Sequence, residues 1–174
     1  MRTIPVLMTL IIAAWTFPAL HAATKHQHVH AHGKAELEMS VTDGAIRGIF
    51  RTPMDNLLGF EHSPKTETQK AAVERLRQRL GDASRLFRPD AAAQCRSIPA
   101  NFSSAMFSNG PQSGHSDLEY RFGFDCKNPK ELKSIEAVVF EDYPRLHEIR
   151  TEFASGTGQQ AVTLKKNNRR FTIK

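Results

Sequence analysis

Apolar and polar residues alternate along two neighbouring segments that together cover residues 34–51. The pair Asp43-Gly44 separates the segments and is typical of a two-residue β-turn. With this pair at the tip, apolar residues of the two segments would face each other or a glycine: Leu37 faces Phe50, Met39 faces Gly48, and Val41 faces Ile46. The pattern predicts a hairpin with one buried and one exposed face.

A second hairpin is predicted near the C-terminus. If Asn167-Asn168 form its tip, Leu164 faces Phe171 and Val162 faces Ile173, so that apolar residues again share a face. Asparagine tolerates the left-handed conformation that such a turn needs. Further strands are predicted near Gln94–Phe102, Leu118–Cys126, Ile135–Phe140 and Glu148–Ala154.

A helix is predicted from about Pro64 or Glu67 to Leu80, because apolar residues recur there with helical spacing. Thr66 and Gln69 have the spacing of a capping box, and Gly81 follows the last apolar residue. The apolar stripe consists of Ala72, Val73, Leu76 and Leu80.

Short helical turns are expected at Asp82–Phe87 and Glu141–Leu146. The predicted fold class is therefore α+β: a mainly antiparallel β-sheet with hairpins, one main α-helix and one or two short helical turns.

Residues 1–22 have the pattern of a secretory signal peptide. Arg2 precedes an apolar run from Ile4 to Phe17, and small residues follow at Ala22 and Ala23. Since the run is shorter than the roughly 20 residues that span a bilayer, we expect cleavage after Ala22 or Ala23 and no membrane insertion afterwards. The predicted organisation is a signal peptide (1–22), a His-rich N-terminal segment (23–33) and a single α+β domain (34–174).

Composition narrows the possible functions only slightly. The chain has 174 residues, with 24 Lys and Arg against 18 Asp and Glu, giving a formal net charge of +6. Because this excess is spread along the sequence, we expect no nucleic-acid partner. The length suits one domain with processing segments.

The two cysteines, Cys95 and Cys126, belong to no CxxC pair. In an exported protein they predict a disulfide bond, with free thiols or metal ligation as the alternatives. Closing a loop of this size would stabilise the fold by roughly 3–4 kcal/mol.

Histidines are concentrated at the N-terminus, where four of the eight fall between Lys25 and Gly33. In an extended chain His26, His28, His30 and His32 would share one solvated face, on the same side as Glu36 and Glu38. Neighbouring imidazoles can bind one metal ion, but one strand cannot complete a tetrahedral site.

Further ligands are expected from His62, which ends the sequence Phe60-Glu61-His62, and from His115 in a polar loop. The predicted metal ligands are His28, His30, His32, His62 and His115. Imidazole ligands suit Zn²⁺, and also Cu²⁺ or Ni²⁺, so ligand type leaves the metal open. His147 is interpreted as a surface residue.

Two other classes of function are alternatives to metal binding. His30, His32 and Glu36 have the HxH-x₃-E spacing of cupin metalloenzymes, but the chain has no convincing second cupin motif and no GxSxG, HExxH or glycine-rich phosphate loop. We therefore expect no enzymatic activity. The other alternative is a non-catalytic envelope interaction module that binds metal only incidentally.

The chain resembles the ZrgA-like zinc-binding periplasmic proteins of Gram-negative bacteria. The resemblance rests on the HxHG sequence at residues 30–33, the block Asn56-Leu57-Leu58-Gly59-Phe60-Glu61-His62-Ser63-Pro64, and the strand-rich remainder with its two cysteines. It implies a periplasmic, non-catalytic role in zinc acquisition and favours His30, His32, His62 and His115 as ligands. Some members have a long His/Asp-rich insertion in the later loop. Here that loop, residues 109–117, has one His and one Asp, which argues against high-capacity storage.

The expected function is zinc uptake, buffering or handover by reversible histidine chelation, with a zinc-uptake transporter or envelope protein as a further partner. Neutral imidazoles would bind Zn²⁺ and release it as the pH falls through about 6–6.5.

Overall fold

The structure is a computed structural model and describes residues 31–108 and 116–173. The predicted signal peptide lies outside these residues, as do His28, His30 and His115. Within the described ranges, no helix is long and apolar enough to cross a membrane.

Ten strands form two sheets in the described part of the chain. The strands are β1 (Lys34–Thr42), β2 (Ala45–Pro53), β3 (Phe87–Pro89), β4 (Cys95–Ser97), β5 (Asn101–Ser103), β6 (Asp117–Cys126), β7 (Ser134–Ala137), β8 (Glu148–Ser155), β9 (Gly158–Lys165) and β10 (Arg170–Thr172). The large sheet has seven strands in the order β4-β6-β2-β1-β8-β9, with β5 also pairing with β6. The small sheet has the order β10-β7-β3.

Three α-helices accompany the sheets within the described residues: α1 (Asp55–Leu58), α2 (Glu67–Leu80) and α3 (Val139–Asp142). Short 3₁₀-helices cover Ala83–Arg85, Ala91–Ala93, Ala105–Phe107 and Pro129–Glu131.

The first predicted hairpin is confirmed, including its register. In β1 and β2, Leu37 pairs with Phe50, Met39 with Gly48, and Val41 with Ile46. At the tip, Asp43 and Gly44 both have positive φ angles, 49° and 80°, as a two-residue turn of this kind requires.

The predicted C-terminal hairpin is wrong. Strand β9 instead forms a hairpin with β8 around Gly156-Thr157, and Leu164 pairs with Ile149. After a bridge between Lys165 and Asn168, the chain crosses to the small sheet, where Phe171 pairs with Ile135. Alternation correctly indicated that Leu164 and Phe171 are buried, but the period of a strand does not specify its partner.

Helix α2 begins and ends as predicted. The Thr66 hydroxyl accepts a hydrogen bond from the Gln69 backbone N–H (3.2 Å), and the Gln69 side chain accepts one from the Thr66 N–H (3.2 Å). Val73, Leu76 and Leu80 are buried, and Gly81 caps the C-terminus.

The predicted fold class, α+β, is wrong: the protein is mainly β, with a helix. Strands account for 45% of the described residues and helical turns of all kinds for 25%. Only α2 exceeds four residues, because no other described segment carries an apolar stripe over several helical turns. The segment predicted as one strand at Ile135–Phe140 divides into β7 and the single turn α3.

Aromatic side chains join the two sheets into one core. Phe87 of the small sheet lies 4.6 Å from Phe122 and 5.5 Å from Phe50 of the large sheet, measured between ring centroids. Phe171 similarly lies 4.6 Å from Phe153. The small sheet therefore covers one face of the large sheet.

The predicted disulfide bond between Cys95 and Cys126 is present and joins β4 to β6. The two residues are direct partners in the antiparallel pair, so the bond fixes one end of the large sheet.

Candidate metal centre

Sheet topology brings four separate chain segments to one end of the large sheet. There β1 begins beside the start of β8, since Lys34 pairs with Glu148, and β2 ends beside the start of β6, since Pro53 pairs with Asp117. We call this the histidine end, because His32 lies two residues before the first residue of β1. The opposite end, where Ala45 pairs with Asp125 and the disulfide lies, is the disulfide end.

A tight turn over residues 31–34 carries His32 at the histidine end. The Lys34 N–H donates to the Ala31 carbonyl (3.1 Å), and Gly33 has a φ of 82°. Glycine adopts this left-handed conformation without the steric cost that a Cβ atom brings. His32 is exposed, as expected, but this turn rather than strand alternation sets its direction.

Asn56 of α1 holds this turn in place. Its Oδ1 accepts a hydrogen bond from the Gly33 N–H (2.6 Å), and its Nδ2 donates to the Lys34 carbonyl (2.8 Å) and to the Thr52 hydroxyl (2.9 Å). Asn56 is almost completely buried. The turn therefore depends on a side chain 22 and 23 positions beyond the two turn residues that it binds.

The start of β8 holds the other side of the turn. The backbone N–H groups of His147 and Glu148 both donate to the Gly33 carbonyl, at 2.8 and 3.0 Å. The turn is thus fixed through both its N–H and its C=O groups.

The imidazole of His32 lies between two carboxylates. Its Nδ1 is 3.8 Å from Oδ2 of Asp55, and its Nε2 is 3.3 Å from Oε1 of Glu61. The His32 side chain is 56% exposed, whereas the Asp55 and Glu61 side chains are only 9% and 10% exposed. A cation could therefore approach His32 from solvent and meet carboxylates fixed beneath it.

Arg145 clamps the first of these carboxylates. Its Nη2 donates to both carboxylate oxygens of Asp55, at 2.9 and 2.7 Å, and its Nε donates to Oδ2 at 3.1 Å. This fork geometry is the strong form of an Arg–carboxylate pair. The positive charge of Arg145 compensates the negative charge of Asp55, and the hydrogen bonds fix the orientation of the carboxylate.

His62 lies on the loop between α1 and α2. Its Nδ1 is 2.8 Å from the Ser63 carbonyl, and its exposed ring stacks on Phe60 at 5.3 Å. Because a carbonyl can only accept, this contact is a hydrogen bond when Nδ1 carries the proton, which leaves the lone pair of Nε2 facing outward.

His115 lies outside the described residues, but its neighbour Ser116 is well placed. The Ser116 carbonyl accepts a hydrogen bond from the N–H of Met54 (2.8 Å), which directly precedes Asp55, and Ser116 is buried. The chain next to His115 is thus anchored at the histidine end.

The described residues do not complete a metal site by themselves. Among them, His, Cys, Asp and Glu form no group of three or more that could hold a metal ion. The structure brings His32 to Asp55 and Glu61, whereas His62 contacts Phe60 and Ser63.

Sequence reasoning missed Asp55, Asn56 and Arg145 as parts of this site. Asp55 and Asn56 are consecutive polar residues within an apolar stretch, and both are buried. Because buried polar residues require partners, the two polar residues within this apolar stretch were the available signal for this site. Arg145 had no such signal, because its partner lies 90 positions away.

The fold and this end of the sheet define a mainly β protein with one disulfide in its described part, in which a histidine meets two carboxylates. The family model described as ZrgA family zinc uptake protein matches residues 29–173, so the chain belongs to that family. No curated protein matches the chain. Family membership indicates a role in zinc uptake, with zinc as a partner.

Proposed function

We propose that this chain is a periplasmic protein that binds Zn²⁺ reversibly through histidine side chains and buffers the ion or hands it to a transporter during uptake. The proposed role involves no catalytic step. The ligands proposed from the sequence are His28, His30, His32, His62 and His115. Family membership favours zinc over Cu²⁺ and Ni²⁺ as the cargo.

The observation that carries this proposal is the position of His32. Hydrogen bonds from both sides fix its turn, and its ring faces the carboxylates of Asp55 and Glu61. Imidazole and carboxylate groups are ordinary zinc ligands. The high exposure of His32 suits an ion that must enter and leave.

His147 provides a contrast within the same structure. It is also exposed, but it lines a shallow depression beside Lys165 and Lys166, whose positive charges oppose a bound cation. A histidine in these surroundings is a poor site for Zn²⁺ and a suitable control.

Isothermal titration of the mature protein with Zn²⁺ tests the proposal. Wild type should bind in the micromolar range or tighter, and a chelator should reverse binding. The triple change of His28, His30 and His32 to Ala should weaken binding by more than about 10-fold. His147→Ala should bind like wild type.

Two results would contradict the proposal. One is a mature, folded protein that takes up no Zn²⁺. The other is a triple variant that binds zinc as well as wild type, which would place the site away from the N-terminal histidines.

A further inference from the structure

We infer that Nε2 of His32 and Oε1 of Glu61 bind the same Zn²⁺ ion, and that Asp55, held by Arg145, is a positioning residue for the His32 ring. This inference rests on the proposed function and specifies its site.

The separation of the two atoms supports their role as a ligand pair. Ligands at about 2.0–2.1 Å (imidazole N) and 2.0–2.2 Å (carboxylate O) from a tetrahedral zinc ion lie roughly 3.3–3.5 Å apart. Nε2 of His32 and Oε1 of Glu61 are 3.3 Å apart. The present separation of the two atoms therefore equals the distance between two ligands of a tetrahedral zinc ion.

The other side of the ring does not fit a metal equally well. Nδ1 of His32 is 3.8 Å from Oδ2 of Asp55, which is wider than the tetrahedral span. The same Oδ2 already accepts two hydrogen bonds from Arg145. The distances and the hydrogen bonds therefore place the metal on the Glu61 side.

A neutral imidazole has one N–H group and one nitrogen lone pair, so only one ring nitrogen of His32 can bind the metal. A zinc ion on the Glu61 side therefore requires that Nε2 carries the lone pair and that Nδ1, which faces Asp55, carries the proton.

Asp55 and Arg145 then act as the outer partners that orient a metal-bound histidine. A carboxylate that accepts a hydrogen bond from the second ring nitrogen fixes the tautomer and the ring orientation. Oδ2 of Asp55 lies 3.8 Å from Nδ1 and would have to come within hydrogen-bond distance to act in this way when zinc binds. Arg145 holds this carboxylate with three hydrogen bonds from its side chain. The exposed side of His32 leaves the remaining coordination positions open to water and other groups.

Zinc titrations of matched variants test the ligand pair. Glu61→Gln keeps the shape of the side chain but removes its charge, and should weaken Zn²⁺ binding by more than about 10-fold. The control is Glu152→Gln, the same chemical change further along β8, where the exposed carboxylate instead pairs with Arg150 at 3.6 Å. The control should bind zinc like wild type.

Nitrogen-15 NMR of the His32 ring tests the positioning role of Asp55, because the signals report which ring nitrogen binds the metal. A purely structural contribution of Asp55 would not change that choice. In wild type, Zn²⁺ should shift the Nε2 signal to its metal-bound position and leave a proton on Nδ1. Asp55→Asn should lose this preference and weaken binding by about 10-fold. Arg145→Gln, a change at a half-exposed side chain, should weaken the same preference without preventing folding.

The outcomes separate this inference from the proposed function. If wild type binds zinc and the triple histidine variant does not, but Glu61→Gln binds normally, the inference is wrong and the function stands. Metal attachment at Nδ1 would also overturn the inference. Wild type without zinc affinity would contradict the function itself.

Discussion

The two ends of the large sheet are held together by different forces. At the disulfide end, a covalent bond between Cys95 and Cys126 joins β4 to β6. At the histidine end, the turn that carries His32 depends on hydrogen bonds from Asn56 and from the backbone at the start of β8. The ends lie about 30 Å apart, because β6 spans ten residues at roughly 3.3 Å each.

This difference separates stability from binding. The disulfide end can contribute most to the free energy of unfolding without affecting His32. Changes at sites so far apart, with no shared partners, have nearly additive effects on stability. The histidine end contributes less to the stability of the fold, but it determines where the imidazole of His32 and the nearby carboxylates lie. The following changes test this division, from the largest expected effect on unfolding to the smallest.

Removing the disulfide should give the largest loss of stability. The double change Cys95→Ala with Cys126→Ala should lower the free energy of unfolding by about 3–4 kcal/mol, because the reduced chain has more conformational freedom when unfolded. Urea denaturation measures this loss. At temperatures where the variant remains folded, its zinc affinity should equal that of wild type. A parallel loss of zinc affinity would contradict the separation of stability at the disulfide end from zinc binding at the histidine end.

Removing Asn56 should affect both stability and binding. Asn56→Ala leaves the Gly33 N–H and the Lys34 carbonyl without their side-chain partner, and should cost about 2–3 kcal/mol. It should also weaken zinc binding, because the turn that carries His32 is released. Urea denaturation and zinc titration measure the two effects.

The control for this change is Asn128→Ala. Asn128 is an exposed asparagine whose amide donates to the Ala92 carbonyl (3.1 Å), away from the histidine end. It should cost less than 1 kcal/mol, roughly, and leave zinc binding unchanged. Equal zinc affinity in Asn56→Ala and wild type would show that the turn need not be held in place.

A methyl group at Gly33 should destabilise the turn by about 1–2 kcal/mol. Alanine disfavours the left-handed φ of 82°, and its Cβ would lie 2.7 Å from Nδ1 of His147. Thermal unfolding measures the loss, and adding His147→Ala should restore the part caused by the clash. Gly156→Ala is the control, because nothing lies within 4 Å of its Cβ position. A Gly33→Ala variant as stable as wild type would contradict the described turn.

Glu119, near the histidine end, should make a small and pH-dependent contribution. The hydrogen bond from Arg51 (3.0 Å) is the main cause that lowers the pKa of Glu119 below its ordinary value. A lowered pKa means that the stabilisation is present above the unfolded pKa near 4.3 and is lost as the pH falls through the folded pKa. Since the side chain is 35% exposed, the contribution should stay below about 1 kcal/mol.

Denaturation of Glu119→Gln and wild type at two pH values tests this contribution. The variant should be slightly less stable at pH 7, and the difference should shrink as the pH falls through the lowered pKa of Glu119 in the folded state. A difference in stability between wild type and variant that grows as the pH falls would contradict a stabilising role of ionised Glu119.

Local patterns predicted the elements whose contacts lie close together in the sequence. The β1–β2 hairpin and its register followed from alternation around Asp43-Gly44, and helix α2 followed from its stripe and capping box. Both are short-range features, so a single stretch of sequence contained the necessary information.

Long-range pairing could not be predicted in the same way. The parallel pairing of β1 with β8 joins Leu37 to Thr151, and nothing in either strand specifies the other. The crossing of Phe171 to the small sheet was missed for the same reason. The predicted class α+β was wrong because α2 is a single helix and the other described α-helices are single turns, which do not form a helical layer beside the sheets.

The candidate site was predicted only in part. The histidine pattern selected His32, which the structure places beside two carboxylates. The roles of His28, His30, His32, His62 and His115 as metal ligands all stay predictions. The residues that hold His32 in place were missed because their contacts span 22 to 90 positions.

A crystal structure of the zinc-loaded mature protein, with anomalous scattering measured at the zinc edge, tests the central claim most directly. The account predicts a zinc peak about 2.0–2.2 Å from both Nε2 of His32 and Oε1 of Glu61. A zinc peak elsewhere, with no metal between these two atoms, would contradict it.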